Sequence, residues 1–390
     1  MKMQKPKVRF KGFTDDWEQR KLSELTTMHA RIGWQNLRTS EFLDSGDYML
    51  ITGTDFDGGA INYSTCHYVE KKRYDQDKNI QIHNGSILIT KDGTLGKVAY
   101  VQGLTMPATL NAGVFNVEIK NENTTDEKYL FQYLKAPFLL DYVSKKATGG
   151  TIKHLNQSIL VDFPIAMPKK EEQAKIGEYL SNLDHLITFH QRKCEQTKKL
   201  KKYMLQKMFP KEGQTVPEVR FEGFTDAWEK RKLIDEVISI DTGKSKFTQQ
   251  GSGRYEILGS TSVIGYDDSY DYQGDFLLTA RVGANAGKLY RYSGKVKISD
   301  NTVFIKGEQL DFLYYALLHF DIKRLSFGTG QPLVKASELK EQEIMMPVED
   351  AERTIMGEYF SNLDHLITLH QRKCDELQNI KKFMLQNMFI

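Results

Sequence analysis

Two glycine-broken turns hold the residues best suited to chemistry. Lys91, Asp92, Thr94 and Lys97 lie in GSILITKDGTLGKVAYV at 85–101, and Arg281, Asn285 and Lys288 lie in GDFLLTARVGANAGKLYRY at 274–292. In each stretch, apolar and polar residues alternate, break at the turn and alternate again, which predicts a hairpin. Glycine lets another backbone approach closely. Long hydrogen-bonding side chains on such a turn suit base edges, Arg or Lys for guanine and Asn for adenine. The same residues also suit an exposed turn that binds nothing.

Other chemistry is excluded by spacing. GTLGK and GANAGK look like fragments of a phosphate-binding loop. That loop needs four residues between its glycines and Ser or Thr after the Lys, whereas Val98 and Leu289 stand there. There is no HExxH, CxxC or GxSxG, no Asn-Pro-Pro-aromatic run and no GxGxxG after a strand. His67 and His83 are isolated, as is His154. No residue set reads as catalytic.

The elements that must position these turns are repeated. VRFKGFTDDWEQRKL at 8–22 returns as VRFEGFTDAWEKRKL at 219–233, identical at 12 of 15 positions. GEYLSNLDHLITFHQRKCEQTKKLKKYMLQKMF at 177–209 returns as GEYFSNLDHLITLHQRKCDELQNIKKFMLQNMF at 357–389, identical at 23 of 33. The offsets are 211 and 180, so the inserts between the repeats differ in length. Two such units are a duplicated domain rather than a solenoid.

Across 171–209, Ile176, Leu180, Leu183, Ile187, His190, Cys194, Thr197, Lys201, Met204 and Met208 follow an alternating 4,3 spacing, the seam of a coiled coil. Its copy runs from Met356 to Met388. Each predicted helix is roughly 50 Å long, and the natural partner of each is its twin, packed antiparallel about a pseudo-two-fold axis. His190, Cys194, His370 and Cys374 hold four potential zinc ligands, but small polar seam residues also set register, and packing is the preferred reading. KKLKKYMLQK at 198–207 is preferred as a solvated face or protein contact over a phosphate-binding stripe, because its copy has lost half the charge. Trp17 and Trp228 are expected to pack the repeated openings.

Both inserts read as β-rich with short helices. After each hairpin come a strand (AGVFNVEI at 112–119, NTVFIK at 301–306), an aromatic helix (128–143, 310–320) and a second glycine turn (TGGTIKH at 148–154, GTGQPLVK at 328–335). A proline-marked exit leads into each long helix. The fold class is α+β. With 40% hydrophobic and 27% charged residues and a net charge of +3, the composition is that of a globular protein whose charge does not by itself mark a nucleic-acid binder. No apolar run approaches the ~20 residues of a membrane span, and the basic N-terminus has no apolar core of a signal peptide. The three cysteines are too scattered for a disulfide framework. A cytoplasmic protein is expected.

On the openings FKGFTDDWEQRKL and FEGFTDAWEKRKL, the hairpins LITKDGTLGKV and LLTARVGANAGKL, and the exits PIAMPKKEEQAKIGEYLSNLDHLI and IMMPVEDAERTIMGEYFSNLDHLI, the chain resembles the specificity subunit of type I restriction-modification systems. The resemblance covers essentially the whole sequence. It implies a frame segment at 1–22, a target recognition domain at 23–168, a central spacer helix at 169–210, a repeated frame segment at 211–233, a second recognition domain at 234–347 and a C-terminal spacer helix at 348–390. It also implies two β-rich recognition domains separated by two long antiparallel coiled-coil helices.

Each domain would then read half of a split site on double-stranded DNA, at a spacing fixed by the helices. The hairpin residues, together with Thr151, Lys153, His154, Gln331 and Lys335, would face DNA. The chain would hold no catalytic residue, metal or cofactor. Two adenine methyltransferase subunits and up to two restriction subunits would bring S-adenosylmethionine, ATP and Mg. Leu186, Phe189, Leu366 and Leu369 widen the apolar stripe beyond what a helix pair needs; they suit either these partners or the undersides of the recognition domains. The second exit departs from the first, with Glu352-Arg353 in place of the Glu172-Gln173 expected at a partner contact. The rival readings are a stand-alone bipartite DNA-binding regulator and a purely structural scaffold.

Overall fold

The computed structural model describes residues 5–33, 36–146, 155–247, 250–326 and 332–389. Two helices dominate, Lys170–Lys207 with 38 residues and Asp350–Met388 with 39. They are called the central and the C-terminal helix below. Each is about 57 Å long at 1.5 Å per residue. The chain forms two compact units, residues 1–189 with 373–390, and residues 190–372. Each unit thus holds one insert and a stretch of both helices.

In the first unit, Ile176, Leu180, Leu183 and Ile187 of the central helix share one buried cluster with Cys374, Leu377 and Met388 of the C-terminal helix. In the second unit, Met208 is clustered with Met356, Phe360 and Leu363. In both units the early part of one helix meets the late part of the other, so the paired stretches are antiparallel. His190 Nδ1 lies 2.9 Å from His370 Nδ1, and Cys194 Sγ lies 3.8 Å from the Ile367 carbonyl oxygen, both within the second unit.

The seam lysines have partners. Lys381 Nζ donates to both oxygens of Asp184 at 2.5 Å, and Gln132 Nε2 donates to Oδ2 at 2.8 Å. Lys201 Nζ meets Asp364 at 2.6 and 2.7 Å, and Tyr315 Oη donates to the same carboxylate at 2.7 Å. Burial opposes ionisation of Asp184, but Lys135 and Lys381 beside it hold its carboxyl below the usual range. Burial also pushes Lys381 down to about 8, with repulsion from Lys135 adding to it and Asp184 opposing it.

The repeated openings are frame elements. Glu18–Lys21 pairs antiparallel with the exit strand Pro164–Met167, and Glu229–Lys232 pairs with Glu343–Met346. Arg9 grips Glu172 through two hydrogen bonds of 2.6 and 2.8 Å, and Arg220 grips Glu352 through two of 2.7 Å. Such forked pairs fix geometry as well as charge. Trp17 Nε1 donates to Glu172 at 3.2 Å, and both tryptophans are buried. The Glu-Gln pair is no partner contact: Glu172 and Gln173 are buried, as are Glu352 and Arg353. Gln173 Nε2 caps the carbonyls of Thr124 and Pro168. Arg353 instead donates to the Pro347 carbonyl and pairs with Glu236 at 2.6 Å. The exchange is compensated inside the unit.

The two inserts share their main strand order but divide it differently among sheets, and the first adds the short pair Phe56–Asp57 and Ala60–Ile61. In the second, strands 239–242, 302–306, 272–280, 289–298, 255–258 and 263–267 form one six-stranded sheet in that order. In the first, 26–29, 114–119, 87–90 and 98–100 form one sheet, and 67–68, 49–51, 108–110 and 81–82 form another. The ten-residue strand Leu289–Ile298 is the reason. Its counterpart is interrupted by 101–107, which holds Gly103 at φ +76° and ends at Pro107, so it becomes the two strands Val98–Tyr100 and Ala108–Leu110. Both inserts keep the same parallel pair, Met49–Ile51 on Ala108–Leu110 and Glu256–Leu258 on Val296–Ile298. The helix expected over 128–143 is two helices, Glu127–Lys135 and Pro137–Lys146. Pro137 lacks the amide needed to continue the first and opens the second.

Each insert sits on its helix at a glycine. A Cβ on Gly177 would lie 2.6 Å from Tyr129 N, and one on Gly357 would lie 2.9 Å from Phe312 N. Gly177→Ala is expected to cost the first unit about 1–3 kcal/mol through overpacking against main chain, and Gly357→Ala to do the same in the second; thermal unfolding reads both. Because Asp184 is more acidic folded than unfolded, its contribution is present at neutral pH and is lost as pH falls through the folded value. Asp184→Asn is expected to cost about 3 kcal/mol near neutrality by leaving Lys381 buried without its counter-charge. It should also flatten the acid loss of stability below about pH 4, as measured by denaturant titration across pH.

Candidate nucleic-acid interface

The glycine hairpins form as the sequence predicts. Strand Ile87–Thr90 pairs antiparallel with Val98–Tyr100, and Tyr272–Ala280 with Leu289–Ile298. The turns close alike: Gly96 N donates to the Thr90 carbonyl, and Gly287 N to the Ala280 carbonyl, both at 2.9 Å. Gly93, Gly96, Gly283 and Gly287 have φ between +69° and +85°, a region closed to most side chains. Thr90 Oγ1 tightens the first turn further, accepting from Lys97 N at 2.9 Å and donating to the Thr94 carbonyl at 2.5 Å.

Thr94, Lys97, Asn285 and Lys288 are exposed at the turns. Lys91, Asp92 and Arg281 are half-buried at their bases. Lys91 Nζ lies 5.5 Å over the Phe115 ring, and Arg281 Nη1 donates to the Asp300 carbonyl at 3.1 Å. The described residues that follow the predicted second glycine turns bond to the same place. Leu155 N donates to the Lys91 carbonyl at 2.7 Å, and Val334 N to the Arg281 carbonyl at 2.8 Å. Thr151, Lys153, His154 and Gln331 lie outside the described residues. Lys335 is exposed and bonded to Glu338 at 2.7 Å. It is the one candidate of the second turns whose side chain is described, and a carboxylate of its own helix holds it.

Sequence reasoning missed two more loops at this edge. Residues 52–55 follow strand Met49–Ile51, and residues 259–262 follow Tyr255–Leu258. Neither loop has a charge run or a glycine pattern, so no sequence signal separates them from ordinary turns. It also missed the carboxylates that satisfy the seam lysines, although an Asp in each SNLDHL and a Lys in each seam were signals enough.

Leu186, Phe189, Leu366 and Leu369 are 41–50% exposed, so the recognition domains do not cover them. In the first unit Ile380 and Phe383 are exposed as well, and in the second Leu200 and Tyr203. These are the same four repeat positions in each copy of the helix. Among the described residues no helix is long and apolar enough to cross a membrane, and no group of three or more His, Cys, Asp or Glu is placed to hold a metal ion.

The family model for the type I restriction modification DNA specificity domain matches residues 14–199 and 225–379, once over each half. The chain belongs to this family. It is 27% identical over 344 residues to the type I restriction enzyme MjaVIII specificity subunit of Methanocaldococcus jannaschii, covering 78% of each chain. It is 25% identical over 389 residues to the MjaIX specificity subunit of the same organism, covering 85% of this chain and 83% of the other. In fold it matches the crystal structure of the type I restriction-modification system S subunit from M. genitalium, with a TM-score of 0.71 at 16% identity over 99% of both chains.

Proposed function

We propose that this DNA specificity protein reads a split site on double-stranded DNA, one half through residues 23–168 and the other through 234–347. The central spacer at 169–210 and the C-terminal spacer at 348–390 fix the separation of the two halves. The frame segments at 1–22 and 211–233 lock each domain to its helix. The observation that carries this reading is the duplicated loop edge. In two inserts of diverged sequence, a glycine hairpin with exposed Lys, Thr or Asn is tied by one main-chain bond to the segment after the second glycine turn. Exposed side chains that can reach a groove, on a backbone held rigid by such bonds, are what base readout needs.

The chain itself is non-catalytic in this reading. Two adenine methyltransferase subunits bring S-adenosylmethionine, and up to two restriction subunits bring ATP and Mg. The assembly works in the cytoplasm. Leu186, Phe189, Leu366 and Leu369 are the contacts for these partners. Exposed apolar side chains repeated at the same positions on both helices suit a protein interface better than open solvent.

Replacing residues 23–168 with the corresponding domain of a related chain is expected to change one half of the methylated site, as methylome sequencing of a host expressing the complex would show; a change in both halves would refute separate readers. Leu186→Asp combined with Phe189→Asp is expected to lower copurification from two methyltransferase subunits per chain to one, while leaving the melting temperature unchanged. Copurification at two methyltransferases per chain in that variant would remove the central helix from the interface.

A further inference from the structure

The loops 52–55 and 259–262 lie at the same edge of the two inserts, each beside its glycine hairpin. In the first insert, Asn111 N donates to the Ile51 carbonyl at 3.0 Å, and Lys91 N donates to the Gly113 carbonyl at 2.8 Å. The short turn 111–113 therefore holds both loops. In the second, Ser299 N donates to the Leu258 carbonyl at 3.0 Å, and Arg281 N to the Asn301 carbonyl at 2.9 Å. Ser260 Oγ donates to that same Asn301 oxygen at 3.2 Å. One carbonyl thus joins the hairpin base to the extra loop. Both inserts keep this arrangement although one is a single sheet and the other two.

The loops are also preorganised. Asp55 is 3% exposed, and its carboxylate accepts from Thr52 N at 2.8 Å, Thr52 Oγ1 at 2.9 Å and Thr65 Oγ1 at 2.8 Å. Thr52 Oγ1 lies 2.7 Å from Thr54 Oγ1, so the exposed Thr54 hydroxyl stands on a fixed base. In the second insert, Gly259 N closes a turn onto the Ser262 carbonyl at 2.9 Å, and Tyr290 Oη donates to the Gly259 carbonyl at 2.6 Å. What the loops present is hydroxyls, Thr54 in one and Thr261 and Ser262 in the other, while the hydroxyls of Thr52 and Ser260 are spent on holding the loops. A hydroxyl carries no charge to neutralise a phosphate, and at a groove edge it can bond a base as well as a phosphate oxygen.

We propose that Thr52–Asp55 and Gly259–Ser262 are second reading elements. Each would contact base edges of double-stranded DNA beside its hairpin, with Thr54 a specificity-determining residue of the first half-site. This rests on the reading of the hairpin edge as the DNA face.

The test uses the full chain assembled with its methyltransferase subunits, on duplexes carrying the site defined by methylome sequencing. Thr54→Val removes the hydroxyl at nearly constant shape, Thr54→Arg fills the space above the loop, and Lys97→Ala probes the hairpin. Thr54→Val is expected to weaken cognate binding roughly 5- to 30-fold. It should relax one base of the first half-site and leave the second half-site as in the parent, and Thr54→Arg should weaken binding at least as much. If both Thr54 variants bind and methylate as the parent does while Lys97→Ala does not, the second reading element is overturned and the hairpin stands. If all three behave as the parent, this face does not read DNA, and the underlying reading falls with the proposal.

Discussion

Everything in each unit depends on how closely a recognition domain approaches its long helix. The N-terminal turn of a domain helix reaches the central helix at Gly177 and the C-terminal helix at Gly357, at distances that leave no room for a side chain. One turn further along, Gln132 in one unit and Tyr315 in the other donate to an aspartate of the long helix, which also pairs with a buried or half-buried lysine of the opposite helix. The glycine sets the distance and the aspartate sets the rotation. A domain seated by only one of these could slide or turn. With both, each loop edge takes one orientation relative to the helix that carries it.

This seat explains why the frames are nearly identical while the inserts are not. Arg9 and Arg220 clamp the first turn of a long helix through Glu172 and Glu352, and the exit strands pair with the openings. None of these contacts involves a residue at the loop edge. The edge can therefore change in sequence, and even divide from one sheet into two at Pro107, without disturbing the attachment.

Much of this was legible in the sequence because repetition and periodicity are local signals. The 4,3 spacing marked the helices, the alternation around KDGTLG and RVGANAG marked the hairpins, and the copied segments marked the frames. The break at Ala136–Pro137 was equally local, and the aromatic run on both sides masked it. The pairing of Asp184 with Lys381 and Asp364 with Lys201 needed the antiparallel register, which places residues 197 and 163 apart in contact. The loops at 52–55 and 259–262 were illegible for a deeper reason. Their importance comes from main-chain bonds with the turns at 111–113 and 299–301, and main-chain donors and acceptors leave no trace in residue type.

The meeting of His190 and His370 sets a rule that copying cannot satisfy. The two rings face each other through like nitrogens, and only one of those atoms can carry the hydrogen while the other offers its lone pair. Helices that read the same around these residues, SNLDHLIT before and QRKC after, are thus forced into different tautomers where they touch. Exchanging donor and acceptor requires each ring to move its own N–H between Nδ1 and Nε2, with every heavy atom left in place. A molecule made by doubling is in this way obliged to be unequal to itself in where a hydrogen sits.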